Sequence, residues 1–165
     1  MKIIRFLLAP IVGILLILVS VTGIQAVGHQ VYPPPPNISE LSEQLRVATL
    51  SRDQAKVEEI KPRLDAAIAE YLPTAPLGAL CFVVGGWLAG SFVSAFVAAM
   101  ITPILRVPMA LLMGLMVIST ILIMAREIPH PGWMPIVGMA GSLVATLLAG
   151  MIVDRFTRPR AVSAS

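Results

Sequence analysis

Two histidines, one cysteine and nine carboxylates are the residues of this chain whose types could carry chemistry. His29 sits in Gly28-His29-Gln30-Val31-Tyr32-Pro33-Pro34-Pro35-Pro36, and His130 in Ile128-Pro129-His130-Pro131-Gly132-Trp133. Each segment combines a histidine, prolines and an aromatic at the edge of an apolar run. One reading brings His29 and His130 together as a metal or proton site, with Gln25 and Glu127 nearby. Two histidines are too few to close a zinc site on their own. The structural reading has the prolines starting or ending helices, Tyr32 and Trp133 anchoring at headgroup depth, and the histidines bonding local carbonyls. A ligand pocket at the outer mouth is the third. The single cysteine, Cys81, has no partner for a disulfide relay and reads as a small apolar core residue. The chain contains no phosphate loop, no Gly-x-Ser-x-Gly and no His-Glu-x-x-His, and no cofactor motif is recognised.

The elements that must position these residues are set by composition. Of 165 residues, 57% are hydrophobic and 13% charged, against about 25% charged in an ordinary soluble domain. Mean hydropathy is +0.88. This balance excludes a soluble globular domain, a disordered chain and a nucleic-acid-binding domain, and points to the lipid bilayer as solvent. Four runs are long enough to cross it: Phe6 to Val27, Leu77 to Ile101, Met109 to Ala125 and Trp133 to Val153. They are continuously apolar, so they span as helices rather than as alternating β-barrel strands. The first run follows Lys2 and Arg5 and ends near Ala26-Val27-Gly28, which is also the pattern of a cleaved signal peptide. Its length favours a retained span. The expected fold is an all-α integral membrane protein, a four-helix bundle with one helical segment outside the membrane.

Orientation follows from the basic residues. Lys2, Arg5, Arg106, Arg155, Arg158 and Arg160 share one side with a single acid, Asp154, for a net +5. The other side carries six basic residues and eight acids, for a net −2. Basic residues near span ends mark the cytoplasmic face, so both termini are expected there, in a bacterial inner membrane. The tail, residues 154–165, is then cytoplasmic.

Between the first two spans, residues 38–72 predict an outer helical cap. Asn37 or Ser39 is expected to start a first helix carrying Leu41, Leu45 and Ala48 on one face. Ser51-Arg52-Asp53-Gln54 reads as a second start, and Ile60, Leu64, Ala67, Ile68 and Tyr71 form the next stripe. Pro62 is expected to kink that helix or begin a new one. The stripe must bury somewhere, either against the bundle or under a partner helix.

Small residues mark the close contacts. Gly86, Gly90 and Ser94 fall on one face of the second span, and Gly138, Ser142 and Gly150 on one face of the fourth. Such faces let backbones approach in lipid. Spans two and four are therefore expected to pair within the chain, with a homodimer interface as the competing use. No Asp, Glu, Lys or Arg lies inside a span, which counts against a proton-coupled exchanger.

The two proline-punctuated segments resemble those of a group of small bacterial four-span membrane proteins of uncharacterised function. The likeness lies in Gly28, His29, Tyr32 and Pro33 to Pro35, and in Pro129, His130, Pro131 and Trp133. It also lies, in part, in the Ala75-Pro76-Leu77-Gly78-Ala79-Leu80 entry to the second span. Where that group often has an acid four residues before its first histidine, this chain has Gln25. The resemblance implies the four-span topology and no activity. The sequence thus leads to a non-enzymatic structural or accessory protein that binds a membrane partner or a second copy. A small-molecule or ion carrier with its site at the outer mouth is the alternative, and a metal-dependent membrane enzyme the third.

Overall fold

The computed structural model describes residues 2–128 and 130–157. These form six helices and no strand: α1 (Lys2–Val31), α2 (Pro36–Leu50), α3 (Gln54–Tyr71), α4 (Leu77–Ile101), α5 (Arg106–Glu127) and α6 (Trp133–Thr157). A single 3-10 turn, Leu72–Thr74, joins α3 to α4. The protein is all-α, and α1, α4, α5 and α6 are each long and apolar enough to cross a membrane. Arg158, Arg160 and Pro129, used in the sequence argument, lie outside the described residues.

The α2–α3 hairpin begins where proline geometry ends. Pro35 is extended, with φ −52° and ψ 147°, and Pro36 opens α2, where its missing N–H costs nothing. Neither Asn37 nor Ser39 caps this helix. Ser39 instead donates its hydroxyl back to the Pro35 carbonyl at 3.3 Å. The chain reverses at Ser51 and Arg52, and Asp53 caps α3 by accepting from the Lys56 N–H at 3.2 Å. Pro62 neither ends α3 nor starts a new helix. It lies on the exposed side of α3, where water can satisfy the carbonyl its ring leaves unbonded. Ile38 and Ala48 of α2 and Ile60 and Leu64 of α3 are buried as the two helices pack together. Leu72 roots the hairpin by packing into the end of the bundle among Leu80, Val84 and Trp87.

In the bundle, α4 is central and touches α1, α5 and α6, and α5 packs along α6. The most extensive pairing is α1 with α4, while α1 meets α5 only lightly. α4 and α6 do pack together, as expected, but not small face to small face. A Cβ built on Gly90 would lie 3.1 Å from Val21 Cγ2 and 3.6 Å from the Ile17 carbonyl oxygen, so the Gly86/Gly90 face of α4 receives α1. The α6 face serves two neighbours. A Cβ on Gly138 would lie 2.5 Å from Trp87 of α4, and one on Gly150 2.9 Å from Ala110 of α5. Ser94 and Ser142 are fully buried, and the Ser94 hydroxyl donates to the Ser91 carbonyl at 3.1 Å. The helical period marks which face is small, but it does not name the neighbour.

The core has two parts of different grain. Far from the hairpin, Ala9, Ala95, Ala98, Ala99, Ala110 and Ala149 surround Met109 and Met113. Alanines bring helix axes close together. At the hairpin end the core is made of Leu80, Val84, Trp87, Val117, Ile121 and Met134. Larger side chains fill the space between α4, α5 and α6 there, while α1 still sits closely on Gly86 and Gly90 of α4.

Candidate functional site

A lateral cleft lies where α1, held on α4, leaves α5. Gly13 of α1 lies directly against the Met113 side chain of α5, and there the two helices meet. Toward the hairpin they leave a cavity of about 310 Å³. On the α1 side Ile14, Ile17, Leu18, Val21, Thr22 and Gln25 line it, recurring at helical spacing. On the α5 side Met116, Val117, Thr120, Ile121 and Met124 do so. Trp87 of α4, only 5% exposed, contributes to the wall. Leu18, Met116 and Thr120 remain open to the surroundings of the bundle.

The lining is graded. From Ile14 to Val21 the α1 wall is apolar, and its polar members, Thr22 and Gln25, stand at the hairpin end. Thr120 donates its hydroxyl within α5 to the Met116 carbonyl at 3.0 Å. Gln25 is half-buried, and its amide has no hydrogen-bond partner among the described residues. An amide can donate two hydrogen bonds and accept two.

Gln25 also lines a second, smaller cavity of about 90 Å³ at the hairpin end. His29, Tyr32 and Tyr71 bring polar atoms to it, and Phe82 and Leu72 close its walls. The two cavities therefore share a residue. Tyr32 and Phe82 stand with ring centroids 6.1 Å apart, tilted by 58°, where the α1 end crosses the α4 start.

The two histidines have different immediate neighbours. His29 is exposed on the last turn of α1 and faces the smaller cavity. His130 donates from Nδ1 to the Ile128 carbonyl at 2.7 Å, which fixes the proton on that nitrogen. Its ring lies 6.4 Å from Trp87, on the way into α6. His29 faces the α1–α4 junction, while His130 packs against Trp87 at the entry to α6. No group of three metal-ligating side chains forms among the described residues. Glu127 points to the hairpin instead, with its carboxylate 3.8 Å from Lys61 Nζ. Cys81 is exposed rather than a core residue, because α4 turns Leu80 and Val84 inward beside it.

Neither the cleft nor the junction at Gln25 was anticipated from sequence. A signal was present: a helical stripe on the first span whose only polar members, Thr22 and Gln25, fall at one end. Compared with protein-family models, curated proteins and solved structures, the chain matches none.

Proposed function

We propose that this is a non-enzymatic membrane protein that binds an apolar partner laterally, through the α1–α5 cleft. In this reading the membrane is the bacterial inner membrane, the termini are cytoplasmic and the hairpin is outside, as the +5 against −2 charge division supports. The observation that carries the reading is the cleft itself. It opens sideways toward the bilayer, and its walls are oily over most of their length. A site of this shape recruits from within the membrane, and its volume of about 310 Å³ lies within the usual range of small-ligand pockets.

A photo-reactive residue tests it in native membranes. Leu18 lines the cleft and is 59% exposed, whereas its neighbour Val19, 68% exposed, does not line it. A benzophenone side chain at position 18 should give a discrete adduct, and one at position 19 only the diffuse background of bulk contacts. Identical adduct patterns at the two positions would overturn the proposal.

A further inference from the structure

We infer that the partner is a phospholipid of the outer leaflet, with one acyl chain in the cleft and its ester carbonyl on the Gln25 amide. The inference rests on the lateral-binding reading and narrows it to one class of molecule.

The dimensions select a chain over a helix. From Ile14 to Gln25 the α1 wall rises about 16 Å at 1.5 Å per residue. A cavity of about 310 Å³ drawn out over that length is narrow beside an α-helix, which with its side chains is roughly 10–12 Å across. One extended hydrocarbon chain fits inside it, whereas a partner helix can only lie across its mouth. The same 16 Å is close to half of a hydrocarbon core about 30 Å thick. The contact of Gly13 with Met113 closes the cleft at its inner end. The occupant therefore belongs to a single leaflet.

Polarity selects an amphiphile. The oily wall ends in Thr22 and Gln25 on the hairpin side. Near the edge of the hydrocarbon core the Gln25 amide is free to bond a group of the occupant. The interfacial ester of a phospholipid offers a carbonyl there, and the smaller cavity beyond Gln25, with His29, Tyr32 and Tyr71, takes the polar end of the molecule. No Asp, Glu, Lys or Arg side chain lines either cavity. The site thus recognises the chain and its carbonyl, and is indifferent to headgroup charge.

The chain has two tryptophans, and Trp133→Phe leaves Trp87 as the only one to emit under selective tryptophan excitation. In vesicles of phosphatidylcholine brominated at mid-chain, buried Trp87 should be quenched. Thr120→Phe, which fills the cleft from an exposed position, should remove most of that quenching. Gln25→Leu should raise the fraction of brominated lipid needed for half-quenching by about threefold, as befits one lost hydrogen bond. Brominated phosphatidylglycerol should act like phosphatidylcholine. Absence of quenching in the Trp133→Phe parent, persistence of quenching in Thr120→Phe, or a strong preference for the anionic lipid would each overturn the inference. If Trp87 is not quenched while position 18 still gives its discrete adduct, the cleft binds something other than lipid and only this inference falls. Loss of both signals removes the lateral-binding reading as well.

Discussion

The ring of Tyr32, just beyond the last turn of α1, rests on the bare Cα of Gly78, in the first turn of α4. The contact is matched in reverse by Gly28, where an added Cβ would lie 2.8 Å from Phe82 Cβ. Each helix thus lends a glycine to the other's aromatic. This pins the angle at which the polyproline stretch leaves the bundle and forms one wall of the smaller cavity.

Gly78→Ala should therefore lower thermal stability in detergent. Displacing a packed ring typically costs about 1–3 kcal/mol. Tyr32→Ala should itself destabilise, but Gly78→Ala added on top of it should cost little. A double-mutant cycle measures the difference. Additive losses would show that Gly78 is needed for some reason other than Tyr32.

Glycines elsewhere divide by what faces them. A Cβ on Gly138 would come 2.5 Å from Trp87 Cε3 and 2.9 Å from Cζ3, whereas one on Gly85 would meet nothing within 4 Å. Gly138→Ala should destabilise and shift Trp87 emission. Gly85→Ala should be neutral, or stabilising by up to about 1 kcal/mol through helix propensity. Melting curves with fluorescence detection read both. Equal effects at the two positions would contradict the close contact between α4 and α6.

Uninterrupted apolar length made the four spans legible in sequence, and Leu77 and Trp133 begin α4 and α6 where the runs begin. The third span was read short, because Arg106 and Arg126–Glu127 are polar yet continue the helix into the interface. Helix pairing was legible only in part, since α4 and α6 do pack but the Gly86/Gly90 face receives α1. Gly90 and Gly138 look alike in sequence, yet one meets α1 and the other Trp87. The histidines share a sequence context, but context does not determine that α1 and α6 bring them to different neighbours. The cleft was hidden for a related reason. It lies where α1, held on α4, leaves α5, and so depends on three helices at once.

Among the described residues, two other than glycine adopt a left-handed backbone, Arg52 and Leu105, both with φ 57°. Arg52 follows the C-cap of α2, where the Asp53 N–H bonds the Ala48 carbonyl at 2.9 Å and its own N–H bonds Thr49 at 3.2 Å. That is the helix stop in which glycine is usual. Leu105 is 59% exposed at the entry to α5, so little packing is lost with its side chain. Arg52→Gly and Leu105→Gly should each relieve strain of about 1 kcal/mol, offset in part by the greater freedom of glycine in the unfolded chain. Denaturation midpoints should rise or hold. A clear fall at either position would show that its side chain makes a contact worth more than the strain.

The proposed orientation makes a direct statement about accessibility. A reporter fused after Ser165 should be active only when cytoplasmic, and one inserted near Gln54, in the hairpin turn, only when outside. The opposite pattern at either site would invert or break the four-span arrangement. It would also move the polar end of the cleft to the inner leaflet.

Acid and base should loosen the hairpin at separate points, for reasons visible in its ion pairs. Arg46 donates to Glu43 from Nη2 at 2.6 Å and from Nε at 2.8 Å, and this holds the Glu43 carboxyl below the usual range. A carboxyl lowered in the folded state stabilises fully above its unfolded value, about 4.3, and the contribution disappears as pH falls through the lowered one. Lys61 is shifted the other way. Its hydrogen bond to Asp65 comes first, at 2.8 Å, and the charges of Asp65 and Glu127 add to it. A raised ammonium stabilises fully below its unfolded value, about 10.4, and the contribution is lost as pH climbs through the raised one. Both pairs are exposed, so each step should be small and screened by salt. Amide protection factors in α2 and α3, corrected for intrinsic exchange, should stay level between the two ends of this range. Glu43→Gln should remove the acid step and leave the alkaline one. A transition near neutral pH, or an acid step that survives Glu43→Gln, would mean that a group other than this pair controls the hairpin.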